Sequence, residues 1–303
     1  MKRLITILGP TAVGKTELTL RLAERLDAEI ISGDAFQVYR EFDIGTAKPT
    51  AEELSRVPHH LVDCLAPEGS YSAAVFQKEA ERIIDEIDAR EKVPILSGGT
   101  GLYVQSLIEG YGFSEVPPNA AVRERLDRLV KEAGIDGLRM YAERLADEAG
   151  TVLPFFDEQR LYRIVERLEA GDVASVVQPN KEGLRYEGPV IGISRPRDEL
   201  YTRIERRVDM MIAQGLIEEV ESLLRKGIST DCQAFSGIGY KEIVAYLSGA
   251  CDRETAIDLV KRNTRRFAKR QLTWYRRMPY IQWIDGDAAE PAALRILDQS
   301  GFI

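Results

Sequence analysis

The stretch that decides the fold is Leu4-Ile5-Thr6-Ile7-Leu8 running into Gly9-Pro10-Thr11-Ala12-Val13-Gly14-Lys15-Thr16. The first part is a short, largely apolar run of strand length. The second fits the pattern G-x-x-x-x-G-K-[ST] in full, and a helical pattern, Lys15–Leu26, begins inside it. Strand, glycine-rich turn and helix in that order make a phosphate-binding loop. The glycines let backbone N–H groups turn inward around phosphate oxygens, and the helix N-terminus adds a favourable dipole. Lys15 supplies a point charge, and the Thr16 hydroxyl is placed to ligate Mg²⁺. Gly9, Pro10, Thr11, Ala12, Val13, Gly14, Lys15 and Thr16 are therefore the expected diphosphate or nucleotide site, with Thr16 the expected metal ligand.

Working outward, short apolar runs bounded by turn residues recur at Glu29–Ser32, His60–Cys64 and Val93–Ser97. A helical pattern lies at about 71–90. Strands alternating with helices predict a parallel sheet wound by helices. From about Phe113 to Glu187 the alternation stops. Asn119–Ala133, Asp136–Ala149 and Asp157–Ala170 all read as helices, and the first puts Val122, Leu126, Leu129 and Val130 on one stripe. A strand returns at Pro189–Ser194. Helices follow at Asp198–Lys226, Tyr240–Leu247 and Arg253–Arg277, with a last strand at Tyr280–Ile284. The expected class is α/β: a P-loop NTPase-like parallel sheet wound by helices, with an all-helical insertion domain. The expected boundaries are 1–112 plus 189–303 for the core and 113–188 for the insertion.

The bulk numbers fit. A chain of 303 residues with 44% hydrophobic and 30% charged content is ordinary for a globular protein. No run of about 18 apolar residues predicts a membrane span, and the apolar stretch behind Met1-Lys2-Arg3 is too short for a signal sequence. Cys64, Cys232 and Cys251 form no C-x-x-C pair, which predicts a reducing, cytoplasmic setting and neither a disulfide framework nor a zinc site. His59 and His60 are the only histidines, which argues against a histidine metal site. The net charge of −8 argues weakly against nucleic acid, but a nucleic-acid footprint is local.

Two further features bear on chemistry. The run Ile30-Ile31-Ser32-Gly33-Asp34 puts a carboxylate at the end of a strand read as the neighbour of the P-loop strand, where ligands of open α/β sheets gather. On position alone, Asp34 reads equally well as a turn residue. An NTPase ordinarily carries an Asp at the tip of a second strand to hold its Mg²⁺ shell. Here the strand Val93–Ser97 ends in Gly98-Gly99-Thr100-Gly101, without an acid, and Asp63 is a poorer substitute. This points to a diphosphate that leaves rather than a γ-phosphate that is transferred.

The second feature is residues 261–277, which carry eight basic residues and no acidic one. Lys261, Arg265 and Lys269 are spaced by four, as are Arg262, Arg266 and Arg270, so a helix sets them in two adjacent stripes. The expectation is one broad cationic face for a polyanion. Trp274 and Tyr275 read either as base-stacking groups or as core aromatics.

Together, Gly9–Thr16 (GPTAVGKT), Asp34–Tyr39 (DAFQVY), Asp43–Pro49 (DIGTAKP), Gly98–Tyr103 (GGTGLY), Gly237–Lys241 (GIGYK) and Lys269–Trp274 (KRQLTW) resemble the tRNA dimethylallyltransferases, also called tRNA isopentenyltransferases. The motifs run in family order over nearly the whole chain. The resemblance implies transfer of a dimethylallyl group from dimethylallyl diphosphate to N6 of adenosine 37 of tRNA, with Mg²⁺, by a cytoplasmic, monomeric enzyme. It implies catalytic roles for Asp34 (general base), Thr100 and Arg207 (donors to the leaving diphosphate) and Lys15. It implies tRNA contacts from Asp34, Ala35, Phe36, Gln37, Arg123, Gln159, Arg160, Arg163, Gly239, Tyr240, Lys241, Lys269, Arg270, Gln271, Trp274 and Arg277, and makes the insertion a module gripping the anticodon stem-loop. The family usually has Ser where this chain has Ala35. No zinc-finger pattern is present, so the bacterial type is expected. A small-molecule or nucleoside kinase using ATP at the same loop remains an alternative, but it leaves the basic helix without a purpose. A nucleotide-dependent RNA-binding switch explains both features, yet the chain lacks a guanine motif such as NKxD.

Overall fold

The computed structural model describes residues 1–153, 158–177 and 180–303. The chain divides into two compact units, Met1–Ile108 with Arg185–Ile303, and Glu109–Leu184.

In the larger unit, β1 (Lys2–Arg3) pairs with β8 (Tyr186–Glu187) as a short parallel ribbon. The main sheet contains β2 (Ile5–Leu8), β3 (Glu29–Ser32), β4 (His59–His60), β5 (Pro94–Gly98), β9 (Val190–Ser194) and β10 (Ile281–Asp285). Among the described residues it has six strands, all parallel, in the order β10-β9-β2-β5-β3-β4. Helices α1 (Lys15–Leu26), α2 (Ala51–Arg56), α3 (Ala73–Asp88), α4 (Gly101–Glu109), α8 (Arg197–Ala213), α9 (Leu216–Arg225), α10 (Tyr240–Leu247), α11 (Arg253–Tyr275) and α12 (Ala289–Gln299) accompany it. All of β2 is buried, as expected of a parallel strand covered on both faces. Ile5, Ile7, Ile95, Ile191 and Ile193 pack with Leu18, Leu20 and Leu22 of α1 and with Leu200 and Ile204 of α8.

Three sequence expectations change here. β5, not β3, is the neighbour of the P-loop strand on this side, with Ile95 opposite both Ile5 and Ile30. The chain leaves β2, skips a place to form β3 and β4, then returns to fill the gap; no local pattern encodes that order. The strand expected at His60–Cys64 is only His59–His60, because Leu61 and Asp63 turn the backbone to φ of 60° and 55°. The single helix expected over Asp198–Lys226 is two, broken at Gly215, where φ is 99°. The sequence reading also passed over α2, although Thr50 and Glu53 form a capping box at its start.

The smaller unit is helical except for one ribbon, β6 (Tyr111–Gly112) paired antiparallel with β7 (Asn180–Lys181). That ribbon ties Tyr111–Gly112 into the unit, which therefore begins a few residues earlier than the composition change suggests. Its helices are α5 (Ala120–Glu148), α6 (Glu158–Glu169) and α7 (Ala174–Val177). Gly134, at φ 69° and ψ −175°, interrupts α5 near the division expected between two helices. The expected start of the next helix, Asp157, lies outside the described residues. Leu126, Leu138, Ala142, Leu161 and Val165 form one buried cluster of the unit, and Ala146, Ile164, Leu168 and Val176 form a second.

Candidate active site

Because every strand of the main sheet runs the same way, the segments following β2, β3, β5 and β9 emerge at one edge. The P-loop follows β2, Asp34 follows β3, and Thr100 follows β5. Two of these segments are stitched together by backbone. The Gly33 N–H donates to the Ser97 carbonyl at 2.8 Å, and the Thr100 N–H donates to the Gly33 carbonyl at 3.3 Å. The Thr100 hydroxyl accepts the Ala35 N–H at 3.1 Å. This approach requires glycine at 98, since a Cβ there would lie 2.5 Å from the Gly33 carbonyl oxygen. Asp34 is thus fixed beside the P-loop even though its strand is one place removed.

The cavity at this edge has a volume of about 110 Å³, and Lys15, Ser32, Asp34, Arg207, Phe267 and Gln271 are among its lining residues. Lys15 Nζ donates to the carbonyls of Gly9 and Pro10, both at 2.9 Å. Burial and the neighbouring Arg207 bring its pKa down to about 7, against the opposing pull of Asp34. Arg207 makes no hydrogen bond or ion pair among the described residues; burial lowers its pKa, and Asp34 works the other way. Burial raises the Asp34 carboxyl above the ordinary carboxylate range, although the Phe36 N–H, Lys15, the Gln37 N–H and Arg207 all favour the anion. Its Oδ1 accepts the N–H groups of Phe36 at 2.8 Å and Gln37 at 3.4 Å. Among the described residues Oδ2 has no hydrogen bond, so one oxygen is open to take a proton.

At the β5 position where an NTPase carries its Mg²⁺ acid stands Ser97, hydrogen-bonded to Thr19 at 2.9 Å. Asp63, the other sequence candidate, is spent on Lys48 at 2.7 Å. Among the described residues no three His, Cys, Asp or Glu side chains cluster as a metal site. The Thr16 hydroxyl is exposed at the start of α1.

Residues that the sequence reading passed over hold the P-loop from outside. Arg195 Nε donates to the Val13 carbonyl at 3.0 Å, and Arg203 Nε donates to the Ala12 carbonyl at 2.9 Å. A basic residue directly after β9 was the only available signal for Arg195. Glu219 receives the N–H groups of Asp43, Ile44 and Gly45 and the Tyr240 hydroxyl, the last at 2.7 Å. It thereby fixes the DIGTAKP segment, whose Thr46, Ala47 and Pro49 also line the cavity.

The expected RNA contacts divide into two groups. Lys241, Lys269, Arg270 and Arg277 are exposed, while Ala35 and Phe36 are half-buried near the cavity mouth. Tyr240 is 1% exposed and bonded to Glu219, so it belongs to the core. Gly239 is buried, its N–H held by Glu242 at 2.8 Å. The Gln37 amide is engaged with Ser32 and the Ala47 carbonyl. Gln271 is 4% exposed. Trp274 lies against Gly101, and Tyr275 is fully buried, so the core reading holds for Tyr275. Arg123 and Arg163 of the smaller unit both pair with Glu166, at 2.8 and 3.1 Å. Burial pushes that carboxyl up, but Arg123, the Asn119 N–H and Arg163 hold it net below its usual value. Arg160 is exposed, whereas the side chain of Gln159 lies outside the described residues.

The broad cationic face of α11 narrows to an edge. Lys261 pairs with Asp209 at 2.6 Å and Arg265 pairs with Glu205, both acids of α8. Arg262, Arg266, Lys269, Arg270 and Arg277 remain exposed and without an ion pair among the described residues.

Such a sheet, with a lysine, an acid and an arginine converging on a phosphate-binding loop, defines a P-loop protein equipped for group transfer. The family model described as "IPP transferase" matches residues 37–278. A tRNA dimethylallyltransferase of Carboxydothermus hydrogenoformans is 43% identical over 99% of this chain and 98% of its own length. One from Alkaliphilus metalliredigens is 44% identical over 93% of this chain and 91% of its own. The crystal structure of the full-length tRNA isopentenylpyrophosphate transferase of Bacillus halodurans superposes with a TM-score of 0.73 at 41% identity, covering 100% of this chain and 95% of that one. A eukaryotic dimethylallyltransferase acting on tRNA shares the fold, with a TM-score of 0.82 at 24% identity over 99% of this chain and 79% of that one. The chain belongs to the IPP transferase family, and its relatives identify it as an enzyme that modifies tRNA.

Proposed function

We propose that the protein transfers a dimethylallyl group from dimethylallyl diphosphate to N6 of adenosine 37 in tRNA. The observation that carries this reading is the convergence of Lys15, Asp34 and Arg207 in one cavity at the mouth of the P-loop. The exocyclic amine attacks the carbon bearing the diphosphate. The new C–N bond forms, the C–O bond breaks, and the electron pair leaves with the diphosphate. An exocyclic amine is a poor nucleophile because its lone pair is conjugated with the ring, and Asp34 Oδ2 accepts the N6 proton as that conjugation is lost. Lys15 and Arg207 meet the charge that grows on the departing diphosphate. Thr100 acts beside them, its hydroxyl tied to the loop that carries Asp34.

Mg²⁺ is the proposed metal. It keeps several waters and takes phosphate oxygens, so a site offering little beyond the Thr16 hydroxyl suits it. When bound, it neutralises charge on the diphosphate. Ala35, Phe36, Lys241, Lys269, Arg270, Trp274 and Arg277 are the proposed RNA contacts in the larger unit. The smaller unit is the proposed grip on the anticodon stem-loop, with Arg160 exposed for it. A cytoplasmic location fits a tRNA substrate, and no helix among the described residues is long and apolar enough to cross a membrane.

The test is incubation with Mg²⁺, dimethylallyl diphosphate and unmodified tRNA bearing adenosines at positions 36 to 38. Nucleoside mass spectrometry should detect N6-dimethylallyl adenosine. Bound tRNA without product would refute the reading, and stoichiometric ATP consumption would favour a kinase.

A further inference from the structure

Gln271 follows Arg270 on α11, but the two side chains meet different surroundings. Arg270 is exposed, while Gln271 is 4% exposed. The Gln271 amide spans two segments of the site. Its Oε1 accepts the Thr11 N–H of the P-loop at 2.9 Å, and its Nε2 donates to the Gly99 carbonyl at 2.7 Å. Both partners are backbone groups of unambiguous role, so the amide has one orientation that satisfies both. The segment carries glycine where the amide crosses it: a Cβ on Gly99 would lie 2.5 Å from Nε2.

The connections continue on each side. Thr11 stands between Pro10, whose carbonyl receives Lys15, and Ala12, whose carbonyl receives Arg203. Gly99 precedes Thr100, whose hydroxyl holds the Ala35 N–H next to Asp34. One side chain of the helix with the free cationic edge therefore spaces the phosphate loop from the segment that fixes the base. A displacement of α11 that strained or broke either bond would alter the P-loop.

We propose that Gln271 is a positioning residue that couples RNA binding at the exposed edge of α11 to diphosphate binding at the P-loop. The proposal rests on the function given above and replaces a direct RNA contact by Gln271. The bond to Gly99 is buried and the bond to Thr11 is part-buried, so losing them leaves the Gly99 carbonyl without a partner and frees the Thr11 N–H from its tie to α11. The Thr11 N–H is also one of the loop donors, and its commitment to Gln271 leaves the donors further along the loop to meet the anion.

The experiment compares the unaltered protein with Gln271→Met, of similar size but unable to make either bond. Calorimetry with inorganic pyrophosphate and Mg²⁺, with and without a saturating anticodon stem-loop, reads the coupling. The unaltered protein should show pyrophosphate affinity changed by RNA on the order of fivefold or more. In Gln271→Met that dependence should vanish while stem-loop affinity stays within about twofold. At saturating tRNA, the KM for dimethylallyl diphosphate should rise on the order of tenfold with kcat far less affected. Should Gln271→Met fold poorly, Gln271→Glu keeps the acceptor for Thr11 and loses the donor to Gly99; the same loss of coupling is expected, because both ends are needed. Coupling that survives in the variant, or is missing from the unaltered protein, overturns the proposal. So does a loss of stem-loop affinity with normal pyrophosphate binding, which would make Gln271 an RNA contact. Failure to form modified adenosine would overturn the proposed function separately, since the coupling is read from binding alone.

Discussion

In the cavity, Lys15, Asp34 and Arg207 are few, half-buried, and shifted in pKa by burial and by one another. Along α11, Arg262, Arg266, Lys269, Arg270 and Arg277 are many, exposed and unpaired among the described residues. The two regions do different work. Low dielectric makes each charge in the cavity strong and specific, which suits a transition state whose charge moves by a bond length. The charges on the helix are screened by salt and act by number, which suits a long phosphate backbone. Single replacements should therefore be severe in the first region and graded in the second.

The largest expected effect is at Asp34. Asp34→Asn should lower turnover by a factor on the order of 10²–10⁴ with stem-loop affinity little changed. A large loss of affinity with normal turnover would erase the distinction between the regions. The next effect separates charge from burial at Lys15, whose pKa is about 7 in the folded protein against 10.5 for the free side chain. Between these values the unfolded chain holds the extra proton. The destabilisation due to burying the charged lysine is therefore complete below about 7 and relieved as pH rises. Lys15→Met should accordingly stabilise the protein more at pH 6 than at pH 9, as read by thermal melts. Pyrophosphate affinity should move the other way, falling from pH 7 to 9 in the unaltered protein beyond any change seen in Lys15→Met.

The smallest effects compare two pairs on one helix. Replacing Lys269 and Arg270 with Ala should weaken tRNA binding and reduce its salt slope by roughly 1.4–1.8. Replacing Lys261 and Arg265 removes the same charge from positions paired with Asp209 and Glu205, and should leave the slope nearly unchanged. Equal slopes for the two double variants would show that α11 presents its whole cationic face after all.

Much of the architecture was legible because its signals are local. The glycines and lysine of Gly9–Thr16, the apolar run before them and the helical period after them each act within a few residues, and α1 begins at Lys15 as expected. The sequence reading set Asp34 beside the phosphate loop by its place at a strand end, and gave Thr100 a part there only through the family resemblance. Asp34 was placed on an adjacent strand, whereas it reaches the site through the Gly33–Gly98 approach across β5. Tyr240, Gln271, Arg123 and Arg163 show the limit of reading residue type alone. The family resemblance implies RNA for each, yet each is engaged within the protein: Tyr240 by Glu219, Gln271 by Thr11 and Gly99, Arg123 by Glu166, and Arg163 by Glu166 one turn on and by the Val116 carbonyl. Glu219 carried no local signal, because one glutamate in an acidic helix looks like its neighbours until the loop it holds is in place.

The sequence by itself determined that a P-loop begins the chain, that strands and helices alternate around a helical insertion, and that a basic helix comes late. These follow from backbone preference and side-chain period, which are short-range. Only the tertiary structure decided that β5 lies between β2 and β3, that Lys261 and Arg265, two of the six stripe cations, are neutralised by α8, and that Gln271 reaches Thr11 across 260 residues of chain. Those outcomes depend on which surfaces meet when the sheet closes and the helices pack. A hydrogen bond or ion pair forms according to distance in space, on which spacing along the chain has no bearing.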